Sequence, residues 1–188
     1  MRIAVLTAVA ALSFAAPAQA DCLSDIKDIL TRSMTSGPYA MEMTAGDMTM
    51  SAEVAPPNAM HSTAALPTMS QEMIVVDGKA WMNAGGNWTA LPDSVAAQVT
   101  AGLNGAAGML EQIASPECLG TQNFEGKDYL AFKYTFAATG VDSTSTIYVD
   151  PATNLPAITV GTSNAAGKVT DTRASYRYDP AIKITPPM

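Results

Sequence analysis

The sequence predicts an α+β fold in which a single curved antiparallel sheet is covered by helices. Its strongest local signal is Asp77-Gly78 between two apolar runs, because Asp-Gly readily adopts the positive φ values of a two-residue hairpin turn. Apolar and polar residues also alternate over much of the chain between short turns, which is typical of neighbouring antiparallel strands. Two further stretches instead show helical spacing.

The first twenty residues have the three parts of a secretory signal peptide. Arg2 provides a basic start, residues 3–16 are mostly apolar, and Ala18-Gln19-Ala20 is a small-x-small exit. We therefore expect cleavage after Ala20, one domain over residues 21–188, and a periplasmic location. This run is too short to span a membrane and the later sequence holds none long enough, so we expect no permanent membrane insertion.

Cys22 and Cys118 are the two cysteines, and an even count in an exported chain favours a disulfide. Closing so long a loop should contribute about 4 kcal/mol in the chain-entropy model. Lipidation of Cys22 is disfavoured because Asp21 stands where a lipoprotein signal needs a small residue. A cysteine metal site is the weakest alternative, because nothing nearby supplies further ligands.

The charge balance excludes two classes of partner. The formal net charge is −7, and it becomes −8 once Arg2 is removed with the signal peptide. An acidic surface repels nucleic-acid phosphates and anionic headgroups. We expect no binding to nucleic acid and no constitutive adhesion to membranes through basic patches.

The first half of the mature chain begins with a predicted helix over residues 21–36, which ends before Pro38. Alternating residues then predict strands over 39–44, 48–54 and 60–66, and on both sides of Asp77-Gly78. A second helical stretch is predicted over residues 92–114. We expect it to form two shorter helices or one mobile helix, because Gly102, Gly105 and Gly108 each lower helix stability.

Residues 115–120, which contain Cys118, are predicted to be a loop, and strands then resume to the end of the chain. Inward rows are predicted at Leu130 to Phe136, Ser143 to Val149 and Thr170 to Tyr178. Tyr176 and Tyr178 lie on the predicted inner face, where they could contact a polar headgroup or simply pack.

Catalytic chemistry is not indicated. His61 is the single histidine, no Ser-His-Asp or Cys-His arrangement is apparent, and no glycine-rich phosphate loop precedes a helix. The carboxylates are scattered singly, as is typical of solvated surface. We expect no enzyme, no catalytic residue, no metal and no cofactor.

Methionine is the unusual residue, since seven of the twelve fall between Met41 and Met73. Three interpretations remain open: gap-filling core, an adaptable surface for a lipid tail, or a Cu(I) site that uses thioethers and the His61 imidazole. The copper hypothesis has a weakness, because Met60 and His61 would point to opposite faces of one strand.

An acyl chain held between the sheet and the helices of residues 92–114 is the hypothesis we favour. Burial would contribute about 0.8 kcal/mol per methylene. Trp81 and Trp88 would either fill the core or border the cavity. The candidate lining residues are Met41, Met43, Met50, Ile74, Val76, Trp81, Phe132, Tyr134, Phe136, Ile147 and Val149.

Several short motifs follow one another in a characteristic order: the Asp77-Gly78 hairpin with Trp81, Trp88-Thr89, Tyr148-Val149-Asp150, Asn154-Leu155-Pro156, Tyr176-Arg177-Tyr178-Asp179, Ile184 and Pro186. With the signal peptide and the early helix, this order resembles that of the LolA/LppX-like superfamily of lipoprotein and lipid carriers, over most of the mature chain. The resemblance implies an unclosed β-barrel, a helical lid over an apolar cavity, and a lipid or lipoprotein acyl chain as partner. A Cu(I) protein, and a non-catalytic sensor or interaction domain that binds envelope proteins, remain alternatives.

Overall fold

The structure is a computed structural model that describes residues 19–104, 108, 110–138 and 141–187. Residues 1–18, which form most of the predicted signal peptide, lie outside the described residues, as does Gly105 of the second helical stretch. The elements are α1 (Gln19–Thr35), β1 (Tyr39–Ala45), β2 (Met48–Ala55), β3 (Ala59–Leu66), β4 (Met69–Val76), β5 (Lys79–Ala84), β6 (Asn87–Ala90), α2 (Asp93–Asn104), a 3₁₀ turn (Leu110–Gln112), β7 (Ile113–Phe124), β8 (Lys127–Ala138), β9 (Val141–Asp150), β10 (Leu155–Ala165) and β11 (Lys168–Tyr178).

All eleven strands belong to one antiparallel sheet in the order β6-β5-β4-β3-β2-β1-β11-β10-β9-β8-β7. The first strand therefore pairs with the last, and the sheet ends at β6 on one edge and at β7 on the other. The barrel is not closed. This arrangement confirms the predicted fold class, a curved antiparallel sheet with helices.

The predicted hairpin joins β4 to β5. Asp77 and Gly78 have φ values of 49° and 77°, which are the positive values that a two-residue type I′ turn requires. Val76 pairs with Lys79 across this turn, and Val75 pairs with Ala80. The local turn chemistry thus sets the register of the two strands.

Strand β7 corrects the prediction of a loop over residues 115–120 and of a helix reaching residue 114. Its pairing with β8 is interrupted twice, between Ala114 and Glu117 and between Cys118 and Gly120. Pro116 lacks an amide donor, and most side chains of this edge strand are exposed. Alternation was absent from the sequence because β7 is irregular and buries few of its side chains.

The two helices pack on the same side of the sheet, over opposite ends of it. Helix α1 packs mainly against β7 and β10, and its Ile26 and Ile29 join a core with Ile147 and Val149 of β9. Helix α2 packs against β5 and β4, where Ala96 is buried in a second core. In the described part of the chain, no helix is long and apolar enough to cross a membrane.

The predicted disulfide is confirmed. Cys22 on α1 bonds Cys118 on β7, and their Cα atoms are 5.5 Å apart. Cys22 is buried, whereas Cys118 is exposed at the edge of the sheet. The bond fastens the first helix to the last strand in the sheet order.

Gly161 on β10 lies where the neighbouring strand approaches closely, so we expect Gly161→Ala to destabilise the fold. An added Cβ would lie 2.5 Å from the Thr144 carbonyl oxygen and 3.0 Å from the Ser145 hydroxyl oxygen. The free energy of unfolding should fall by about 1–3 kcal/mol in urea titrations followed by circular dichroism. The control is Gly102→Ala in α2, which meets no heavy atom within 4 Å and should raise stability by about 0.5–1 kcal/mol. Equal stability of Gly161→Ala and the parent would contradict the close approach.

Candidate functional site

The strand register divides the sheet into a side that faces α1 and α2, here the helix side, and an opposite side. Successive residues of a strand alternate between the two sides, and directly paired residues share one. On β4, Val75 pairs with Ala80 and packs with Ala96 of α2. Every second residue of β4 counted from Val75, and each residue paired with one of these, therefore lies on the helix side. Pairing carries this assignment across the sheet to Ala174 of β11, which pairs with Thr159 of β10. Thr159 pairs with Ile147, so the core beneath α1 lies on that same side.

Four strands lie in the middle of the helix side, between the regions where α1 and α2 make most of their contacts. Most of their helix-side residues are half-buried, Ala52 and Ala174 are buried, and Leu66 is exposed. We call these residues the central floor: Tyr39, Met41, Met43 and Ala45 of β1, Met48, Met50, Ala52 and Val54 of β2, Met60, Ser62, Ala64 and Leu66 of β3, and Thr172, Ala174, Tyr176 and Tyr178 of β11.

The central floor contains no charged residue. The charged side chains of β1 and β2 are Glu42 and Glu53, and both lie on the opposite side. Arg173 and Arg177 of β11 also lie there, whereas Lys168, at the start of β11 and beyond the floor, lies on the helix side. The middle of the sheet therefore presents an uncharged surface to the helices and a charged surface to the other side.

Methionines dominate this uncharged surface. Met43 lies directly opposite Met50, and Met73 lies directly opposite Met82. All but Met69 are half-buried, so their flexible thioether chains are only partly covered. Eight methionines share the helix side: Met41, Met43, Met48, Met50, Met60, Met69, Met73 and Met82.

Eight of the eleven candidate lining residues lie on the helix side, in two groups. Met41, Met43 and Met50 belong to the central floor. The second group lies on β8 and β9 and packs in the core beneath α1, so the chain's own side chains occupy much of its surface. Its members are Phe132, Tyr134, Phe136, Ile147 and Val149.

Ile74, Val76 and Trp81 lie on the opposite side, which corrects their predicted inward position. The run from Met73 to Val76 is apolar at every position, so alternation could not decide which residues face the helices. The register decides it, because Ile74 pairs with His61 and Trp81 while Met73 pairs with Ser62 and Met82. Trp88 pairs with Asn83 and also lies on the opposite side.

His61 lies on the opposite side and is engaged by a carboxylate. Its Nε2 atom is 2.7 Å from Glu72 Oε1, and Asn83 donates an Nδ2 hydrogen to Glu72 Oε2 at 3.0 Å. Met60, the preceding residue, faces the helices. The structure therefore separates the imidazole from the methionine surface, and a thioether site on the helix side would not include His61.

Three tyrosines gather at one end of the floor. The ring of Tyr39 lies 5.8 Å from that of Tyr178 and 6.3 Å from that of Tyr176, between centroids. Burial raises the pKa of each of these phenols. It also raises the pKa of Tyr134 on β8 to about 12, and Tyr176 adds to that rise. Sequence reasoning placed Tyr176 and Tyr178 inward but did not bring them together with Tyr39.

The other end of the floor is open and is apolar on β3 and β4. The turns after β1, β3 and β10 lie side by side at this end of the sheet. Leu66 is 46% exposed and Met69 is 55% exposed at the turn between β3 and β4, and Asp47 and Lys168 lie at the neighbouring turns. An apolar surface thus continues from the methionines to the edge of the molecule along β3 and β4.

A shallow cleft of about 320 Å³ lies on the opposite side of the same strands and has a different character. Its lining includes Glu42, Ser51, Thr63 and Arg173. The guanidinium of Arg173 donates two hydrogen bonds to Glu125, at 2.8 and 2.9 Å. Charged and hydroxyl side chains here suit solvent better than an apolar ligand.

Comparison with solved structures confirms the expected LolA/LppX-like fold. LprF from Mycobacterium bovis superposes with a TM-score of 0.63 at 13% identity, over 89% of this chain and 97% of that chain. The lipoprotein LppX from Mycobacterium tuberculosis superposes with a TM-score of 0.60 at 12% identity, over 89% of this chain and all of that chain. No protein-family model and no curated protein matches the sequence. At these identities the similarity concerns the fold.

The buried phenol of Tyr134 makes stability sensitive to alkaline pH. An unfolded tyrosine has a pKa near 10, whereas the folded pKa is about 12, so the unfolded chain loses its proton first as pH rises from 10 to 12. Stability should therefore fall in this window. Between pH 9 and pH 12, the free energy of unfolding should fall by about 2 kcal/mol less in Tyr134→Phe than in the parent, as measured by urea unfolding. Identical losses in the two proteins would contradict burial of this hydroxyl.

Proposed function

We propose that the protein is an exported, periplasmic lipid carrier that binds the acyl chains of a lipid or lipoprotein against the central floor. The observation that carries the proposal is the composition of this surface. It is uncharged, rich in methionine and small residues, and only partly covered by the helices. A guest hydrocarbon would complete its burial.

An acyl chain suits this surface physically. Each methylene removed from water contributes about 0.8 kcal/mol, so a long chain gains affinity without any charged contact. Methionine side chains adapt to a flexible partner because they are unbranched and polarizable. Ala52, Ala64 and Ala174 reduce the height of the floor between the methionines, which leaves room for a chain to lie along the strands.

Three further features support carriage outside the cytoplasm. The predicted signal peptide directs export, and the Cys22–Cys118 disulfide is typical of oxidising compartments. The fold is shared with the lipoprotein LppX. We also propose a single functional domain over residues 21–188, which follows the one continuous sheet.

Binding without catalysis is part of the proposal. The titratable groups of the central floor are phenols, and burial raises the pKa of Tyr39, Tyr176 and Tyr178. A phenol with a raised pKa keeps its proton near neutral pH and is a poor general base. Such groups suit the binding of a neutral ligand better than proton transfer.

Two adjacent alanines on β3 provide a matched test of the site. Ala64 faces the helices and Ala65 faces the opposite side, and both are half-buried. We expect Ala64→Glu to lower affinity for a fluorescent fatty acid at least about tenfold, because a carboxylate would be placed against the hydrocarbon. Ala65→Glu should bind as the parent does.

Native mass spectrometry of the same three proteins, followed by solvent extraction, should find lipid bound to the parent and to Ala65→Glu and much less bound to Ala64→Glu. Absence of lipid from the parent, together with no uptake of the fatty acid, would reject the carrier function. Equal loss of binding in both variants would reject the floor as the site.

Cu(I) binding is a second candidate, favoured by the direct pairing of Met43 with Met50 on the helix side. Met43→Leu/Met50→Leu discriminates the two functions, because leucine keeps the apolar surface but removes both thioethers. Anaerobic Cu(I) titration against a competing chelator should give the same result for this variant and the parent if lipid is the ligand. Loss of tight copper binding in the variant, with fatty-acid binding unchanged, would favour the copper function.

A further inference from the structure

The hydroxyl of Tyr178 is buried and makes no hydrogen bond among the residues that the structure describes. Tyr178 ends β11 and pairs with Tyr39 at the start of β1. Folded proteins rarely leave a buried hydroxyl without a partner, because the hydroxyl has lost its bonds to water and gained none in return. An unpaired donor within a binding surface is a natural place for a ligand atom.

The polar groups around Tyr178 have other roles. Ser33 of α1 lies beside it and partly offsets the rise of its pKa, and the Ser33 hydroxyl donates its own hydrogen to the Leu30 carbonyl oxygen at 2.7 Å. The Ser33 oxygen can accept a further hydrogen, but it does not lie in hydrogen-bonding geometry with the Tyr178 hydroxyl. Tyr176 forms a hydrogen bond with Thr159, which opposes the burial-driven rise of its pKa. The Tyr39 ring packs between the rings of Tyr176 and Tyr178. Tyr178 is therefore the tyrosine of this cluster whose hydroxyl hydrogen has no acceptor among the described residues.

The chemistry of the cluster restricts the ligand group that it could bind. Burial keeps the phenols protonated, so they offer hydrogen-bond donors to an acceptor atom. No charged side chain of the central floor is available to pair with an ionic headgroup. A neutral acceptor, such as the carbonyl oxygen of an ester or amide, fits these conditions.

We propose that Tyr178 donates a hydrogen bond to the carbonyl oxygen that joins an acyl chain to its carrier molecule. The proposal rests on the lipid-carrier function and adds a polar anchor to it. The chain then runs from the tyrosines past Met41 and Met43 towards the open apolar end at Leu66 and Met69. Strand β1 spans about 20 Å in this direction, at about 3.3 Å per residue.

The carbonyl could belong to a glycerolipid ester or to the acylated N-terminus of a lipoprotein. Both sources share the same acceptor and the same hydrocarbon. In both cases the tail would lie on the same floor, and Tyr178 would contact the linkage rather than the rest of the molecule.

The test compares the parent, Tyr178→Phe and the control Tyr148→Phe. Tyr148 lies on the opposite side of the sheet, where its ring packs 4.4 Å from that of Phe124 between centroids. The probes are methyl palmitate and hexadecane, which displace a bound fluorescent fatty acid. Tyr178→Phe should lower affinity for methyl palmitate about tenfold, which corresponds to about 1.4 kcal/mol, and leave affinity for hexadecane unchanged. Tyr148→Phe should match the parent for both probes.

Thermal unfolding of the unliganded proteins supplies an independent readout. Tyr178→Phe should be at least as stable as the parent, because the change removes an unpaired buried hydroxyl. A lower melting temperature, or a parallel loss of affinity for hexadecane, would assign Tyr178 to packing and overturn the proposal. Binding of both probes by the parent with unchanged ester affinity in Tyr178→Phe would overturn the anchor and leave the carrier function intact. Binding of neither probe by the parent would reject the carrier function itself.

A second arm distinguishes the two sources of the carbonyl. Affinities of the parent and Tyr178→Phe are measured for a diacylglycerol and for an N-palmitoylated peptide. The ligand whose affinity falls about tenfold in the variant is the one whose carbonyl Tyr178 binds. Unchanged affinity for both ligands would overturn the proposal.

Discussion

The register of the central strands is the constraint on which the rest of the structure depends. Because pairing from β5 through β1 and β11 continues without a bulge, every alternate residue keeps to one side over the middle of the sheet. Glu42, Glu53 and His61 are thereby held away from the helices, and the methionines are held towards them. A shift of one residue in any of these pairings would exchange the two surfaces.

The two helices cover the ends of the sheet and leave its uncharged middle available as a binding site. The disulfide and the core around Ile26 hold α1 over one end of the sheet, and the core around Ala96 holds α2 over the other. Between them the floor is left partly accessible, with phenols at one end and the exposed Leu66 and Met69 of the β3–β4 turn at the other. The same chain thus provides a packed core at its flanks and an incompletely covered apolar surface in the middle.

Sequence reasoning predicted most of this architecture where a local signal was strong. The Asp77-Gly78 turn and the alternation around Met41, Met50 and Tyr176 each reported the final structure. It was wrong where the spacing of apolar residues along the chain does not show whether a segment is a strand or which side of the sheet a residue faces. The run around Ile74 is apolar on both sides, and β7 is irregular at Pro116. The partnership of His61 with Glu72 and the tyrosine cluster depend on pairing between distant strands, which spacing within one strand cannot reveal.

The claim that hydrocarbon lies on the central floor is tested most directly by photocrosslinking with a diazirine-labelled fatty acid, followed by peptide mapping. We expect the label to attach to β1, β2 and β3 at helix-side residues such as Met41, Met43 and Met50. Labelling confined to the opposite side, at residues such as Ile74 and Trp81, or the absence of saturable labelling, would contradict it.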